Sequence, residues 1–382
     1  INKNKNLDDI LAILEKRPGE FLRKIDGLLR EVEDQNKILD LFEQKVELLT
    51  TKSILKFYKF IETRDKKESF RFFIPKGNTS KIFVKQADDR KTLQKKTIKK
   101  IKKIIEKDLF RRFKTKGKDF SSVYIHEELK NILIPLSLNS APKGIETLER
   151  GSKIKFSQKA KILRMFVYWK EKNNGRIDVD LSAAAYDKNW EFKNHLSWTS
   201  LQALGGKHSG DIQSAPNGAS EFIDINLKAF KDNGIRYVVM NTISYTGQVF
   251  DSFESFAGIM ERNNLTGEIF EPKTVANKFD LSGNSSNNIP MILDVEKKEI
   301  IWANLSLGIG KYGAIHSNFN QVSNIAKAVL EANKYTPSLY DLFSMHVKAN
   351  KGSVSKEDNK DCTLRLTLKE SKNIHDILSN WI

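Results

Sequence analysis

The spacing of apolar residues changes character three times along the 382-residue chain. Residues 1–65 carry them three and four apart: Ile10, Ile13 and Leu14, then Phe21, Ile25, Leu28 and Leu29, then the run QNKILDLFEQKVELL. That spacing stacks side chains on one helix face, so short amphipathic helices are predicted, with a break at Pro18-Gly19. Short antiparallel helices of this kind read as the end of a helical repeat array.

Residues 66–150 read as a small α+β unit. ESFRFFIPKGNTSKIFVKQ is two β-rich runs around a Pro-Lys-Gly-Asn turn, a predicted hairpin. In RKTLQKKTIKKIKKIIEKDLFRRFKTKGK, residues 90–118, Ile98, Ile101, Ile105 and Leu109 form one stripe of an amphipathic helix whose other face is lysine. SSVYIHEELKNILIP then reads as a strand leading into a short helical or extended piece.

From 151 to 315 the period is two. KILRMFVYWK, RIDVDLSAAAYD, EFKNHLSW, EFIDINL, RYVVMNTISY, FESFAGIME, NKFDLSG and MILDVEKKEIIWANLSL are short strands separated by Asn, Gly, Asp and Ser turns, the pattern of an antiparallel β-sandwich. DVEKKEIIW reads as a hairpin turning at Lys297-Lys298. Residues 316–382 return to helices (NQVSNIAKAVLEANK, SLYDLFSMHVKAN and NIHDILSNWI) around one strand, CTLRLTLKES. The predicted class is therefore multidomain α+β, with an N-terminal helical segment, a small α+β unit, a β-sandwich and a C-terminal helical extension.

Composition narrows the function. Hydrophobic residues at 39% suffice for real cores, and the chain is long enough for several. The first residue is Ile, so a fragment or a processed product is expected. There is no apolar run of membrane-spanning length and no signal-peptide core, and a cytoplasmic location is the simplest expectation. The single cysteine, Cys362, excludes an internal disulfide framework and Cys-rich zinc modules, and no base accompanies it in sequence, so it reads as inert. A net charge of +17 raises an anionic partner, nucleic acid or lipid headgroups, with Lys95, Lys99, Lys103, Arg111 and Arg112 as the contacting residues. The favoured reading is the solvated face of a packed helix, since no aromatic platform is interleaved with the lysines.

Catalytic grammar is thin, and no enzyme is predicted. His126, His195, His208, His316, His346 and His375 show no metal spacing and read as structural. GIGKYG, residues 308–313, matches a dinucleotide fingerprint only in letters, because no β-α-β unit surrounds it. Acidic residues are more informative. Asp178 and Asp180 in DVDLSAAAYD lie two apart, on one face of a strand. Asp211 and Glu221 fall in HSGDIQSAPNGASEF, among Ser209, Ser214, Asn217 and Ser220. Two readings stay open: turn-forming acids that bond their own backbone, or ligands of a hard cation such as calcium, which takes about 6–8 oxygens.

DVDLSAAAYD, then HSGD, then a Gly-containing loop ending SEFIDINL, then YVVMNTISY resembles the TerD-like domain of tellurite-resistance and stress-response proteins over about residues 155–310. RPGEFLRKIDGLLR and ERGSKIKF further resemble larger bacterial proteins that join helical repeats to such a domain, in gene neighbourhoods with MoxR-type ATPases and von Willebrand A proteins. The resemblance implies a sandwich that binds calcium through Asp178, Asp180, Asp211 and Glu221, with no known catalysis, and proteins of the same stress or defence system as partners. Two departures imply a weakened site. The family's G-D-N-x-T-G stands here as GDIQSAP, with Ile212 and Ala215 at polar or turn positions. Its D-D-E stands as ASE, with Ala219 and Ser220 where carboxylates are expected. The expected function is a non-catalytic binding or scaffold protein of a bacterial stress-response or defence system; the alternative is anionic-surface binding through helix 90–118.

Overall fold

A computed structural model describes residues 7–68, 70–73, 83–85, 87–114, 118–136, 148–172, 175–263, 271, 272, 275, 277–281, 283–307, 319–371 and 374–382, without the side chains of 321, 332, 374 and 375. The chain is mixed α+β and forms two compact units, whose described residues lie within Ile1–Arg71, Lys85–Leu136 and Ala332–Ile382, and within Phe72–Val84 and Ser137–Glu331.

The first unit opens with α1 (Leu7–Glu15), α2 (Pro18–Glu31), α3 (Asn36–Lys45) and α4 (Thr51–Ile61). Pro18 occupies the first turn of α2, where its missing N–H costs nothing. Thr50 caps α4 by accepting the Ser53 N–H at 3.3 Å. The two β-rich runs of the predicted hairpin form β1 (Arg71–Phe73) and β2 (Phe83–Lys85), which pair in a two-stranded sheet; the Pro-Lys-Gly-Asn turn lies outside the described residues. The basic helix is α5 (Lys95–Phe113), with Ile98, Ile101, Ile105 and Leu109 buried, and β3 (Ser122–Ile125) follows.

The second unit is the sandwich. Its strands are β4 (Lys153–Lys155), β5 (Ile162–Lys170), β6 (Val179–Tyr186), β7 (Phe192–Leu196), β8 (Gln202–Ala203), β9 (Gly206–His208) and β10 (Ala219–Asn226). After the short helix α6 (Leu227–Asp232) come β11 (Tyr237–Ser244), β12 (Glu254–Arg262), β13 (Lys278–Asp280), β14 (Asn287–Asp294) and β15 (Glu299–Ser306). One sheet runs β13-β12-β5-β10-β9-β8 and the other β4-β15-β14-β11-β6-β7, with every pairing antiparallel. Alternate residues face inward: Leu163, Met165, Val167 and Trp169 of β5 meet Val179, Leu181, Ala183 and Ala185 of β6 in one core. The outer face of the second sheet is buried too. Helix α7 (Phe319–Asn333) lays Val322, Ile325, Ala326 and Val329 over Ala184, Val239, Ile301 and Ala303. Burial on both faces explains why Met291–Leu293 and Ile300–Ala303 are apolar at every position, where a period of two was expected.

The chain then returns to the first unit with α8 (Leu339–Ala349), β16 (Ser353–Ser355), β17 (Leu364–Leu366), α9 (Leu368–Ser371) and α10 (Ile374–Asn380). β3 lies between β16 and β17, parallel to both. Ser338 and Asp341 form a reciprocal capping box at the start of α8. A single core joins Phe21, Ile25 and Phe42 to Ile101, Ile105 and Val123 and to Leu342, Phe343 and Trp381. The described residues of the segments read as 1–65, 66–150 and 316–382 thus stand around one core, except 72, 73, 83, 84, 148–150 and 319–331, which go with the sandwich. The physical reason is that amphipathic helices this short cannot bury their apolar faces alone. Among the described residues no helix is long and apolar enough to cross a membrane.

Candidate metal centre

At one end of the sandwich three stretches are tied together: residues 171, 172 and 175–178 before β6, 209–218 between β9 and β10, and 245–248 after β11. Trp169, wholly buried, donates its indole N–H to the Ile177 carbonyl at 2.8 Å and so fixes the approach to Asp178. Glu171 accepts the Ala215 N–H at 2.7 Å, the Ser214 hydroxyl at 2.9 Å and the Ile177 N–H at 3.3 Å. Those donors hold its carboxyl below the usual carboxylate range. Arg176 donates to the Gln213 carbonyl at 2.7 Å and to Asp178 Oδ2 at 2.6 Å. From the third stretch, the Thr246 hydroxyl accepts the Asp178 N–H at 3.1 Å, and the Tyr245 N–H donates to the Asp178 carbonyl at 2.9 Å. Glu171, Arg176 and Trp169 belong to no motif, so nothing in the sequence singles them out.

This frame brings three of the predicted acids together. One carboxylate oxygen from each of Asp178, Asp180 and Asp211 lies within 4.8 Å of the others. Asp178 is 3% exposed, and its Oδ1 is buried with no hydrogen-bond donor reaching it. Asp180 is half-buried; burial, then the charges of Asp178 and Asp211, push its carboxyl up to about 6. Asp211 is exposed and accepts from the Gln213 side chain at 2.9 Å. Gly210 sits at φ 108°, a left-handed backbone that places Asp211 while its N–H donates to His208 Nδ1 at 3.0 Å.

Glu221, the fourth predicted ligand, stands outside that group. It is 1% exposed, Oε1 accepts the Ile212 N–H at 2.9 Å, and Oε2 accepts the Leu181 N–H at 2.9 Å. These bonds exist because β7 pairs with β6 only from Ala183 onward, leaving the edge of Leu181 without a strand neighbour. His208 takes the other half of that edge. Its Nδ1 accepts from Gly210, so the ring proton sits on Nε2 and is donated to the Leu181 carbonyl at 2.9 Å. Burial lowers the His208 pKa, in keeping with a neutral ring. The same burial, reinforced by Asp180 and Asp211, pushes Glu221 up to about 8 against the pull of its two N–H donors.

A pH trend follows. Below pH 6.5 the buried, pKa-lowered His208 works against the raised acids, because the unfolded chain then protonates histidine. From 6.5 to about 8 Glu221 dominates, since the folded state holds a proton there that the unfolded state has lost. Cation-free protein should therefore lose about 1–2 kcal/mol of sandwich stability between pH 6.5 and 8. Denaturant melts in chelator at the two pH values check this; a rise in stability over that window would contradict it.

The residues proposed for an anionic partner are placed differently. Lys95, Lys99 and Lys103 are exposed on α5. Arg111 and Arg112 both pair with Asp108, at 2.8 and 2.7 Å, and Arg112 also donates to the carbonyls of Val46, Glu47 and Leu49. Arg112 thus fastens α5 to the turn before α4. His346 and His126 are structural: His346 bonds the Trp381 carbonyl through Nε2 at 2.9 Å, and His126 Nδ1 accepts the Glu128 N–H at 3.2 Å. GIGKYG, His316 and the His375 side chain lie outside the described residues.

Fold and site together define an antiparallel β-sandwich with a three-carboxylate cluster in the loops at one end. No family model matches the chain, and no curated protein matches it. Among solved structures it is similar to a protein of unknown function, SAV2460, with 14% identity and a TM-score of 0.30, over 38% of this chain and 92% of that one. It is also similar to a homologue of the telluride resistance protein TerD, SCO6318 from Streptomyces coelicolor A3(2), with 10% identity and a TM-score of 0.30, over 38% of this chain and 88% of that one. At that score the reading of the site rests on its own geometry.

Proposed function

We propose that the sandwich is a binding module for one hard divalent cation, calcium, held by Asp178, Asp180 and Asp211, in a non-catalytic scaffold protein of a bacterial stress-response or defence system. One observation carries the cation: three carboxylates converge within 4.8 Å while Asp178 Oδ1 is buried without a donor. A buried carboxylate oxygen with no donor is costly, and carboxylates this close repel one another unless a cation or protons intervene. An all-oxygen set suits calcium or magnesium rather than a soft metal. Three acids leave several coordination positions to carbonyls and water, which fits a weak site. The scaffold half rests on the sequence resemblance to TerD-like proteins. The test is thermal: calcium should raise the melting temperature of the sandwich by mass action, worth about 1.4 kcal/mol at tenfold Kd, and no shift at millimolar calcium would remove the cation from the account.

A second reading has its own observation. Lys95, Lys96, Lys99, Lys100 and Lys103 of α5 form no ion pair with a carboxylate among the described residues, whereas Lys102 pairs with Glu62 and Lys107 with Glu43. The apolar stripe of α5 is already spent on the core, so this face could meet a phosphate backbone but not embed in a bilayer. Duplex DNA binding through it should weaken with salt at a log–log slope of roughly −3 to −5 and vanish in Lys99→Glu/Lys103→Glu. A slope near zero rejects this reading.

A further inference from the structure

We infer that Glu221 is a positioning residue and not a ligand: one buried carboxyl group sets the separation of the two segments that carry the cation ligands. This rests on the cation reading above. Oε2 holds the N–H of Leu181, the residue after Asp180, and Oε1 holds the N–H of Ile212, the residue after Asp211, both at 2.9 Å. Asp180 lies on β6 of one sheet and Asp211 in the loop between β9 and β10 of the other, and the Glu221 side chain ties the backbone beside one to the backbone beside the other. Both oxygens are occupied by peptide donors, and the residue is 1% exposed. His208 completes the link from the other side, donating from Nε2 to the Leu181 carbonyl at 2.9 Å while Nδ1 receives the Gly210 N–H at 3.0 Å, one residue before Asp211.

The peptide next to each ligand is thus fixed before any cation arrives. Without the link, the 209–218 loop would still hang from Glu171 and Arg176, which reach Gln213, Ser214 and Ala215 but not Asp211 itself. Glu221 and His208 therefore act together on the ligand that Glu171 and Arg176 do not reach, from the peptide after Asp211 and the peptide before it. Groups that orient metal ligands from behind typically change affinity by about 10–100-fold when replaced.

The test uses the full chain, with amide exchange of Leu181 and Ile212 followed by NMR in chelator and calcium affinity followed by calorimetry. In wild type both amides should be protected without calcium, Ile212 included although it lies in a loop. Glu221→Gln keeps the shape but turns one acceptor into a donor, so both amides should shift and exchange about tenfold faster, while calcium affinity falls about tenfold. Asp180→Asn should lower affinity further and leave the two amides in place. Glu221→Gln matching Asp180→Asn in affinity with unmoved amides would make Glu221 a ligand and overturn the inference. Altered amides with unchanged affinity would reduce the link to a fold contact and also overturn it. Should Glu221→Gln fail to fold, fast exchange of either amide in cation-free wild type still refutes it. If wild type binds no calcium but the amides respond as stated, the cation reading has failed and the positioning role falls with it.

Discussion

Asparagine in place of Asp178 should abolish the calcium-dependent rise in melting temperature while leaving the cation-free protein as stable as wild type, or slightly more so. The two halves of that expectation have separate causes. With calcium, the substitution removes one of three charges from the ligand set, and affinity in oxygen sites follows ligand charge, so a loss on the order of 100-fold is expected. Without calcium, Asp178 contributes little. Its Oδ2 pairs with Arg176, whose side chain is 52% exposed, and such a pair is worth at most about 1 kcal/mol. Its Oδ1 has no donor, and its charge raises the pKa of Asp180. Removing that charge relieves the crowding. Melting curves of both proteins in chelator and in millimolar calcium measure the two halves together. A drop in cation-free stability comparable to a core mutation would show that Asp178 serves the fold and not a ligand.

The second large effect is on the fold. Trp169→Ala should destabilise the sandwich by about 3–5 kcal/mol, the usual cost of deleting a large aromatic side chain from a closed core. Trp169 is wholly buried between Leu163–Val167 neighbours on β5 and the inner face of β6. Trp169→Phe separates packing from hydrogen bonding. Most of the volume remains, but the Ile177 carbonyl loses its 2.8 Å donor, at about 1–2 kcal/mol. Because Ile177 precedes Asp178, the Phe variant should also bind calcium more weakly, an effect that a purely internal packing residue would not show. Denaturant unfolding of the three proteins gives the stabilities; equal stability of wild type and Trp169→Ala would contradict the assigned core.

Much of this architecture was legible in the chain. The period-two runs from KILRMFVYWK to EIIWANLSL locate the long strands, and the spacing of Ile98, Ile101, Ile105 and Leu109 gives the buried stripe of α5. What escaped were elements too short for periodicity: β4, β8, β9, β16 and the helix α6. The parallel sheet was also hidden, because Val123 pairs with Val354 and Leu364, more than two hundred residues on. At the site, Asp178 and Asp180 were visible from their two-residue spacing, and Asp211 from the HSGD element. Glu221 was visible as an acid but not as a strut, because its partner Leu181 lies 40 residues away on the other sheet. Its strand position gave no hint that β7 ends short and leaves the Leu181 edge open. Ala219 and Ser220, where the resemblance implied carboxylates, begin β10, and the Ser220 hydroxyl donates to the Val167 carbonyl at 2.8 Å.

Calorimetric titration of calcium into the full chain at pH 7 and low salt decides whether the three carboxylates hold a cation. One site per chain is expected, of roughly sub-millimolar to millimolar affinity, weakened on the order of 100-fold by Asp178→Asn. Absence of binding heat up to several millimolar calcium, or binding that persists unchanged in Asp178→Asn, would contradict it.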